Sequence, residues 1–260
     1  MTLVSVSESA ALAACLGNLD FFRRHRIEWL EETGSTNDDL KAAWFAPDGE
    51  PAMLIAGRQT AGRGQFSRRW HSQASQCLMF SFTSEALPGG FPPSLIAGIA
   101  MFMALEKHCG RAPDDLWLKW PNDLWYGAAK LAGILTESCL VGNRLKIVTG
   151  VGINLLPIKI DNIATAAVSD FATDPGHAGL LQLFCLAFAE ICSWPANALT
   201  ARWTSSAARF WHTRFLVSEN AGEEFVALPK RLETDGRLTL IDEKGLQKTV
   251  VSAALKPLFY

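Results

Sequence analysis

Basic side chains and glycines are concentrated at residues 58–70, which have the sequence RQTAGRGQFSRRW. This segment holds four arginines and two glycines and directly follows an apolar stretch. Glycine lets a ligand approach the backbone closely, and arginine binds carboxylate or phosphate through paired hydrogen bonds. The segment therefore indicates an anion site, with Trp70 available to stack on a base. A solvated basic loop, or an arm that contacts nucleic acid, would use the same residues.

A second polar group lies inside an apolar, tryptophan-rich segment with the sequence LWLKWPNDLW. Burial of Lys119 or Asp123 costs free energy unless the charge is paired or meets a ligand. Asn122 lies between these two residues in the chain. The segment indicates polar site residues or, as the structural alternative, one Lys–Asp ion pair beside a turn at Pro121.

Two further segments, KLAGILTE and TGVGIN, combine strand-like sequence with glycine. Lys130 opens the first of them, and Gly133 leaves space against the neighbouring backbone. Gly150, Gly152 and Asn154 alternate in the second, so they share one strand face and would form a floor for a flat ligand. An exposed strand-end lysine and close sheet packing are the structural alternatives.

These segments together supply cationic side chains, glycine floors and one carboxylate. That combination suits the joining of a carboxylic acid to a nucleotide phosphate. The sequence lacks a GxxxxGK[ST] loop and a convincing GxGxxG turn between strand and helix. Both absences argue against the P-loop and Rossmann classes of nucleotide site.

Helices and strands must bring these segments together, and the hydrophobic periodicity predicts a mixed α/β chain. Predicted helices are Glu8–Leu16, Ser35–Phe45, Pro92–Cys109, Gly179–Trp194 and a last one from Pro195 to about His212. Predicted strands are Arg26–Glu31, Met53–Ala56, Leu78–Thr83, Leu116–Trp120, Leu131–Ser138 and Leu145–Asn154.

The tail from Thr213 to Tyr260 has a different character. Short strands at Phe225–Leu228, Leu238–Ile241 and Thr249–Val251 are separated by turn residues. This spacing predicts a small antiparallel barrel of about fifty residues, which at that size needs support from the larger part of the chain.

Composition excludes several classes of protein. The 260 residues are 49% hydrophobic and 19% charged, as in a packed globular protein. A net charge of −2 argues against bulk attraction to nucleic acid or anionic membrane. The N-terminus has no basic residue before Arg23, so no secretory signal is expected. The six cysteines form no CxxC pair, which favours reduced thiols in the cytoplasm over disulfides or a metal site.

In order along the chain, five segments resemble the signature of the biotin–protein ligase family. They are GSTND at Gly34–Asp38, QTAGRG at Gln59–Gly64, KWPND at Lys119–Asp123, KLAGIL at Lys130–Leu135 and GVGIN at Gly150–Asn154. The set spans the first 154 residues, and the KWPND and KLAGIL pair is specific. The tail resembles the small SH3-like domain of that family only loosely.

The resemblance implies a mixed-sheet catalytic domain at residues 1–212 and an SH3-like domain at 213–260. It also implies a two-step reaction in which biotin and ATP form biotinyl-5′-AMP, after which a lysine of a biotin carboxyl carrier protein takes the biotin. Mg²⁺ would arrive on the ATP phosphates, and no protein metal ligand is expected. The resemblance allows a homodimer, although the residues do not decide the oligomeric state.

Roles for individual residues follow from the same resemblance. Lys130, Arg63 and Asp123 would be catalytic, with Lys130 at the biotin carboxylate or new anhydride and Asp123 orienting or deprotonating the incoming lysine. The biotin-binding residues would be Ser35, Thr36, Asn37, Gln59, Gly62, Arg63, Gly64, Gln65, Lys130, Gly133, Gly150 and Gly152. The ATP-binding residues would be Arg68, Trp70, Lys119, Asn122 and Asn154.

The sequence departs from the family pattern in its basic loop. The usual pattern is GRGRxGR, whereas Gln65 replaces the second arginine and Ser67 replaces the following glycine. Glutamine carries no charge, so it should hold an anion less strongly. Arg68 and Arg69 are expected to compensate in part.

Other functions stay open from the sequence alone. A lipoate–protein ligase would share the fold, and a non-catalytic biotin or adenylate sensor would fit the altered loop. A nucleic-acid-binding module is disfavoured by the balanced charge. About 25 residues precede the first predicted strand, too few for a helix-turn-helix domain, so no specific DNA binding is expected.

Overall fold

A computed structural model describes residues 6–65, 68–71, 76–160, 163–174, 176–219 and 224–259. The helices are α1 (Val6–Gly17), α2 (Thr36–Trp44), α3 (Pro93–Cys109), α4 (His177–Ile191) and α5 (Ala196–Ser205). The predicted helices are therefore present. The last one was predicted too long, because it ends at Ser205 and only a short 3₁₀ turn, Phe210–His212, follows.

The larger part of the chain is built around a seven-stranded mixed sheet. Its strands are β1 (Arg26–Leu30), β2 (Ala52–Ala56), β3 (Cys77–Glu85), β4 (Leu116–Lys119), β5 (Asp123–Tyr126), β6 (Ala129–Val141) and β7 (Arg144–Asn154). The strand order is β1-β2-β3-β7-β6-β5-β4, and only the β1–β2 pair is parallel. The sequence missed β5, which is four residues long and follows directly on the turn after Pro121.

Side-chain alternation gives the two faces of this sheet different partners. On one face, Phe80 and Phe82 pack against Phe184 and Phe188 of α4, beside the almost wholly buried α3. On the opposite face, residues of β2 and β7 form a smaller apolar cluster with α2. The first residues of α2 lie over the middle strands, where Asn37 contacts Leu135 of β6 and Ser81 of β3.

The C-terminal residues form a second, five-stranded antiparallel sheet. Its strands are β8 (Arg214–Ser218), β9 (Glu224–Leu232), β10 (Leu238–Asp242), β11 (Gln247–Val250) and β12 (Ala254–Leu258). The order β11-β10-β9-β8-β12 leaves β11 and β12 as unpaired edges. The prediction of a barrel was wrong in this respect, because the sheet stays open. Edge strand β12 also tolerates Pro257, which supplies no N–H to a second neighbour.

Buried residues of the two sheets belong to one hydrophobic core. The indole N–H of Trp120 donates to the carbonyl oxygen of Gly236 at 3.0 Å. Gly236 has φ +84°, and a Cβ there would lie 2.3 Å from Pro92 Cγ, so only glycine fits this turn. This contact fixes the C-terminal sheet beside the segment that joins β4 to β5.

All six cysteines are free thiols. None of the described helices has both the length and the apolar character that a bilayer crossing requires.

Candidate functional site

A cavity of about 680 Å³ opens between the seven-stranded sheet, the basic loop and the C-terminal sheet, a size typical of small-molecule sites. Most of the residues that the sequence predicted for the site line this cavity. They are Ser35, Thr36, Asn37, Gln59, Arg63, Gly64, Gln65, Arg68, Trp70, Lys119, Asn122, Asp123, Lys130, Gly133, Gly150, Gly152 and Asn154. Gly62 is absent from the lining, and a Cβ there would lie 2.9 Å from the carbonyl oxygen of Trp70.

One end of the cavity, here called the helix end, is built from neutral polar groups at the start of α2. Ser35 caps the helix by accepting from the N–H of Asp38. The N–H of Thr36 donates to Gln59 Oε1 at 2.9 Å. Ser81 Oγ lies 2.6 Å from Thr36 Oγ1 and donates to Asn37 Oδ1 at 2.7 Å. These contacts join α2, the basic loop and β3 into one hydrogen-bonded unit.

The other end, here called the charged end, is centred on Asp123. Its Oδ2 is 3.1 Å from Lys119 Nζ, and its Oδ1 is 2.6 Å from Lys130 Nζ. Lys119 and Asp123 face each other in the β4–β5 register, and both are buried. The ion pair that the sequence offered as the structural alternative is therefore present, but it lines the cavity.

Electrostatics at the charged end keep Asp123 ionised. Burial alone would raise its pKa, but the ammonium groups of Lys130 and Lys119 lower the pKa to about 2. Burial lowers the pKa of Lys119 against the opposing effect of Asp123. At neutral pH the end therefore holds a carboxylate between two lysines, which is a preformed place for further negative charge.

Protein side chains lie directly against the glycines of the cavity floor in this structure. A Cβ on Gly150 would lie 2.0 Å from Asn37 Oδ1, and one on Gly152 would lie 2.5 Å from Trp70 Cε2. Trp70 also covers Gly133, where a Cβ would be 3.1 Å from the indole. The glycines thus let Asn37 and Trp70 approach the sheet, and direct contact of these glycines with a ligand stays a prediction.

The guanidinium of Arg63 points to carboxylates rather than to the charged end. Its Nη2 lies 2.7 Å from Asp38 Oδ1 and 2.7 Å from Glu137 Oε2. Lys41 Nζ contacts the same two carboxylates, each at 2.8 Å. Two cations and two anions therefore clamp the basic loop to α2 and β6. The catalytic role predicted for Arg63 remains a prediction.

The described residues on either side of positions 66 and 67 are joined to the rest of the basic loop by hydrogen bonds. Gly64 N–H donates to the carbonyl oxygen of Arg68 at 2.8 Å, and Arg69 donates to that of Thr60 at 2.7 Å. Gln65 and Arg68 line the cavity. Ser67, the second departure from the family pattern, lies outside the described residues.

Two asparagines predicted for ATP hold backbone instead. Asn122 Nδ2 donates to the carbonyl oxygen of Ile134 at 2.7 Å, and Asn154 Nδ2 donates to that of Ala166 at 3.0 Å. Both amides lie at the cavity wall, where they fix the strands and the segment that follows β7. Their contact with a nucleotide stays a prediction.

Sequence reasoning missed several residues of the site. Ser81 and Trp125 line the cavity, as do Leu216, Ser218 and Lys256 of the C-terminal sheet. Glu137 lay within the KLAGILTE segment but had no assigned role. Its position near the end of the predicted strand Leu131–Ser138 was the only available signal, whereas Ser81 sits in an apolar strand that gives none. Among the described residues, no cluster of three or more His, Cys, Asp or Glu side chains could hold a metal.

Comparison with known proteins gives consistent results. Residues 29–154 match the family described as the Biotin/lipoate A/B protein ligase family. The chain is 30% identical over 237 residues to a biotin–[acetyl-CoA-carboxylase] ligase of Mycobacterium tuberculosis, covering 88% of this chain and 87% of that protein. It is 31% identical over 236 residues to the ligase of that name from Paracoccus denitrificans, covering 83% and 90%.

A solved structure extends the likeness to the fold. Biotin protein ligase from Aquifex aeolicus, in complex with biotin and ATP, superposes with a TM-score of 0.69 at 24% identity. The alignment covers 90% of this chain and 99% of the Aquifex chain. The two-sheet architecture is therefore shared over nearly the whole length.

Proposed function

This chain belongs to the biotin–[acetyl-CoA-carboxylase] ligases of the biotin/lipoate A/B protein ligase family, and from that membership we propose that it biotinylates a biotin carboxyl carrier protein with ATP. The observation that carries the proposal is the pairing of the two cavity ends. A neutral polar end suits the ureido ring of biotin, and a charged end suits its carboxylate and the ATP phosphates. The relatives' names favour biotin over lipoate.

In the first step, an oxygen of the biotin carboxylate attacks the α-phosphorus of ATP. The bond from that phosphorus to the bridging oxygen breaks, pyrophosphate leaves and biotinyl-5′-AMP remains. Lys130 and Lys119 would neutralise charge on the carboxylate and on the phosphate oxygens, so catalysis is mainly positioning and electrostatic stabilisation. Mg²⁺ would enter bound to the phosphates, as part of the ATP substrate.

In the second step, the carrier lysine amine attacks the acyl carbon of the anhydride. AMP leaves with the electron pair of the broken bond, and the amine proton passes to solvent. A carboxylate with a pKa of about 2 is a weak proton acceptor, so Asp123 supports orientation of the amine better than its deprotonation. The sequence prediction left both roles open for this residue.

The proposed function also implies a domain organisation and a cellular location. Residues 1–212 would form the catalytic domain and 213–260 a smaller domain whose strands complete the cavity wall. The carrier domain would present its lysine at the open side of the cavity. Six free thiols support a reducing, cytoplasmic location.

Transfer of radiolabelled biotin to a purified carrier domain tests the proposal directly. The wild-type chain should label the carrier with ATP present, and Lys130→Ala should reduce labelling about 100-fold by loss of one electrostatic contact to the reacting group. A parallel titration with lipoate should give no transfer. Binding of biotin without transfer would support the sensor alternative, and full activity of Lys130→Ala would remove the main catalytic assignment.

A further inference from the structure

We infer that Glu137 is a positioning residue, which orders a chain of hydrogen bonds so that Thr36 presents an acceptor to an N–H group of the biotin ureido ring. The inference rests on the proposed function and adds a specificity determinant to it. The direction of each hydrogen bond between Glu137 and Thr36 decides whether Thr36 can accept from a ligand.

The amide of Asn37 has only one acceptable orientation. Its Nδ2 donates to the carbonyl oxygen of Leu135 at 3.2 Å and to Glu137 Oε2 at 3.0 Å. Neither of these oxygens carries a proton, so a flipped amide would place oxygen against two acceptors. Asn37 Oδ1 must therefore face Ser81, and only the Ser81 hydroxyl can donate between them.

The proton of Ser81 in turn determines whether the Thr36 hydroxyl donates or accepts. Ser81 has a single proton, and it is committed to Asn37 Oδ1 at 2.7 Å. Thr36 Oγ1 lies 2.6 Å from Ser81 Oγ, a distance at which one of the two oxygens must donate. Thr36 is therefore the donor in this pair, in preference to its 3.3 Å contact with Gln59 Oε1. The remaining lone pairs of Thr36 are left to accept from a ligand N–H.

The carboxylate of Glu137 is held in the charged form by its neighbours. Burial would raise its pKa, but hydrogen bonds from Lys41, Asn37 and Arg63 lower it below its usual value. An ionised Glu137 can only accept, so it selects the Asn37 orientation described above. Arg63 Nη2 contacts both of its oxygens, at 2.8 and 2.7 Å, which fixes the carboxylate in place.

Gly150 leaves space for the hydrogen bond between Asn37 and Ser81. A Cβ on Gly150 would lie 2.0 Å from Asn37 Oδ1 and 3.1 Å from Ser81 Oγ. Glycine at this position therefore lets the Asn37–Ser81 hydrogen bond form against the strand. Asn37 and Ser81 are both buried, which raises the cost of a mispaired donor or acceptor.

Glu137→Gln tests the inference because it keeps the shape and changes the polarity. The single carbonyl oxygen of the glutamine should face Lys41 and Arg63, which leaves its NH₂ group against the NH₂ of Asn37. Isothermal titration of biotin without ATP should then give a dissociation constant raised roughly tenfold or more, as for loss of one buried hydrogen bond. The KM for ATP should change by less than about twofold, since the charged end is untouched.

Two further variants separate ordering from general damage. Ser81→Ala breaks the same chain at its next link, and its effect with Glu137→Gln should be clearly less than additive because both act through Asn37. Glu85→Gln is the matched control, because it removes a carboxylate that pairs with Arg144 at the far end of β3. It should leave biotin affinity within about twofold of wild type.

Wild-type biotin affinity in Glu137→Gln, or strictly additive effects of the two variants, would overturn the inference. So would a joint loss of biotin affinity, ATP affinity and melting temperature, since that pattern indicates structural damage alone. If the wild-type chain neither binds nor transfers biotin, the proposed function fails first, and the inference fails with it.

Discussion

The two ends of the cavity use different kinds of interaction. At the charged end, a buried carboxylate is enclosed by two ammonium groups within 3.1 Å. At the helix end, the cavity presents hydroxyl and amide groups beside Arg63, and Glu137 lies behind them in contact with Asn37. Coulombic contacts tolerate some change in geometry, whereas a chain of single hydrogen bonds depends on which atom donates. Under the proposed function, the charged end would hold the reacting groups and the helix end would select the ring.

The largest effect should come from breaking the charged end. Asp123→Asn leaves two lysines facing each other without the carboxylate, and removal of one partner from a buried ion pair costs about 3–5 kcal/mol. Thermal or urea unfolding should show this loss. The matched change at the helix end, Ser81→Ala, removes one hydrogen bond and should cost about 1 kcal/mol. Equal losses for the two variants would erase the distinction between the ends.

Acidification should weaken the charged end by protonating Asp123, the carboxylate that pairs with both lysines. The pKa of Asp123 is lowered from 3.8 to about 2. A lowered carboxyl pKa contributes stability above the unfolded value and loses it as pH falls toward the folded value. About 2 kcal/mol of unfolding free energy should therefore be lost between about pH 4 and pH 2.

Unfolding curves measured at several pH values would check this assignment. The stability difference between wild type and Asp123→Asn should shrink across that window. Parallel curves for wild type and Asp123→Asn would contradict the shifted pKa.

Alanine substitutions at Gly150 and Gly152 should affect the two ends of the cavity differently. Gly150→Ala crowds Asn37, and Gly152→Ala crowds Trp70, each at a cost of about 1–3 kcal/mol if the neighbour cannot move. Gly150→Ala should weaken biotin binding, while Gly152→Ala should also change the fluorescence of Trp70. Titration calorimetry and emission spectra of both variants make the comparison. An unchanged spectrum in Gly152→Ala would mean that Trp70 is not displaced.

The smallest effect is expected for the basic loop. Gln65→Arg restores a cation where the family pattern has one, so release of biotinyl-AMP should slow by about threefold, as for a partly exposed charge contact. Single-turnover formation followed by dilution gives the release rate. A rate equal to that of wild type would indicate that Arg68 and Arg69 already hold the anion.

Much of the fold follows from local pattern. The position of α2 and the alternating Gly150 and Gly152 were predicted because their signals lie within a few residues of chain. The existence of β5 and the open edges of the C-terminal sheet were not, since short strands depend on partners that the sequence does not name. The identity of the family came from ordered motifs rather than from periodicity.

The site was predicted more fully in its residues than in its contacts. The sequence grouped Arg63 with the anion-binding cations, but its guanidinium pairs with Asp38 and Glu137. Glu137 is 74 positions away in the chain, and no local rule pairs two such residues. The Lys119–Asp123 contact was foreseen because both stand in one apolar segment, where burial demands a partner.

The hydrogen bond from Trp120 to Gly236 has a mechanical consequence. Trp120 is the residue between Lys119 and the turn that leads to Asp123, so a shift of the C-terminal sheet would pull on the backbone that carries both charges. The small sheet thus helps to fix the backbone positions of Lys119 and Asp123.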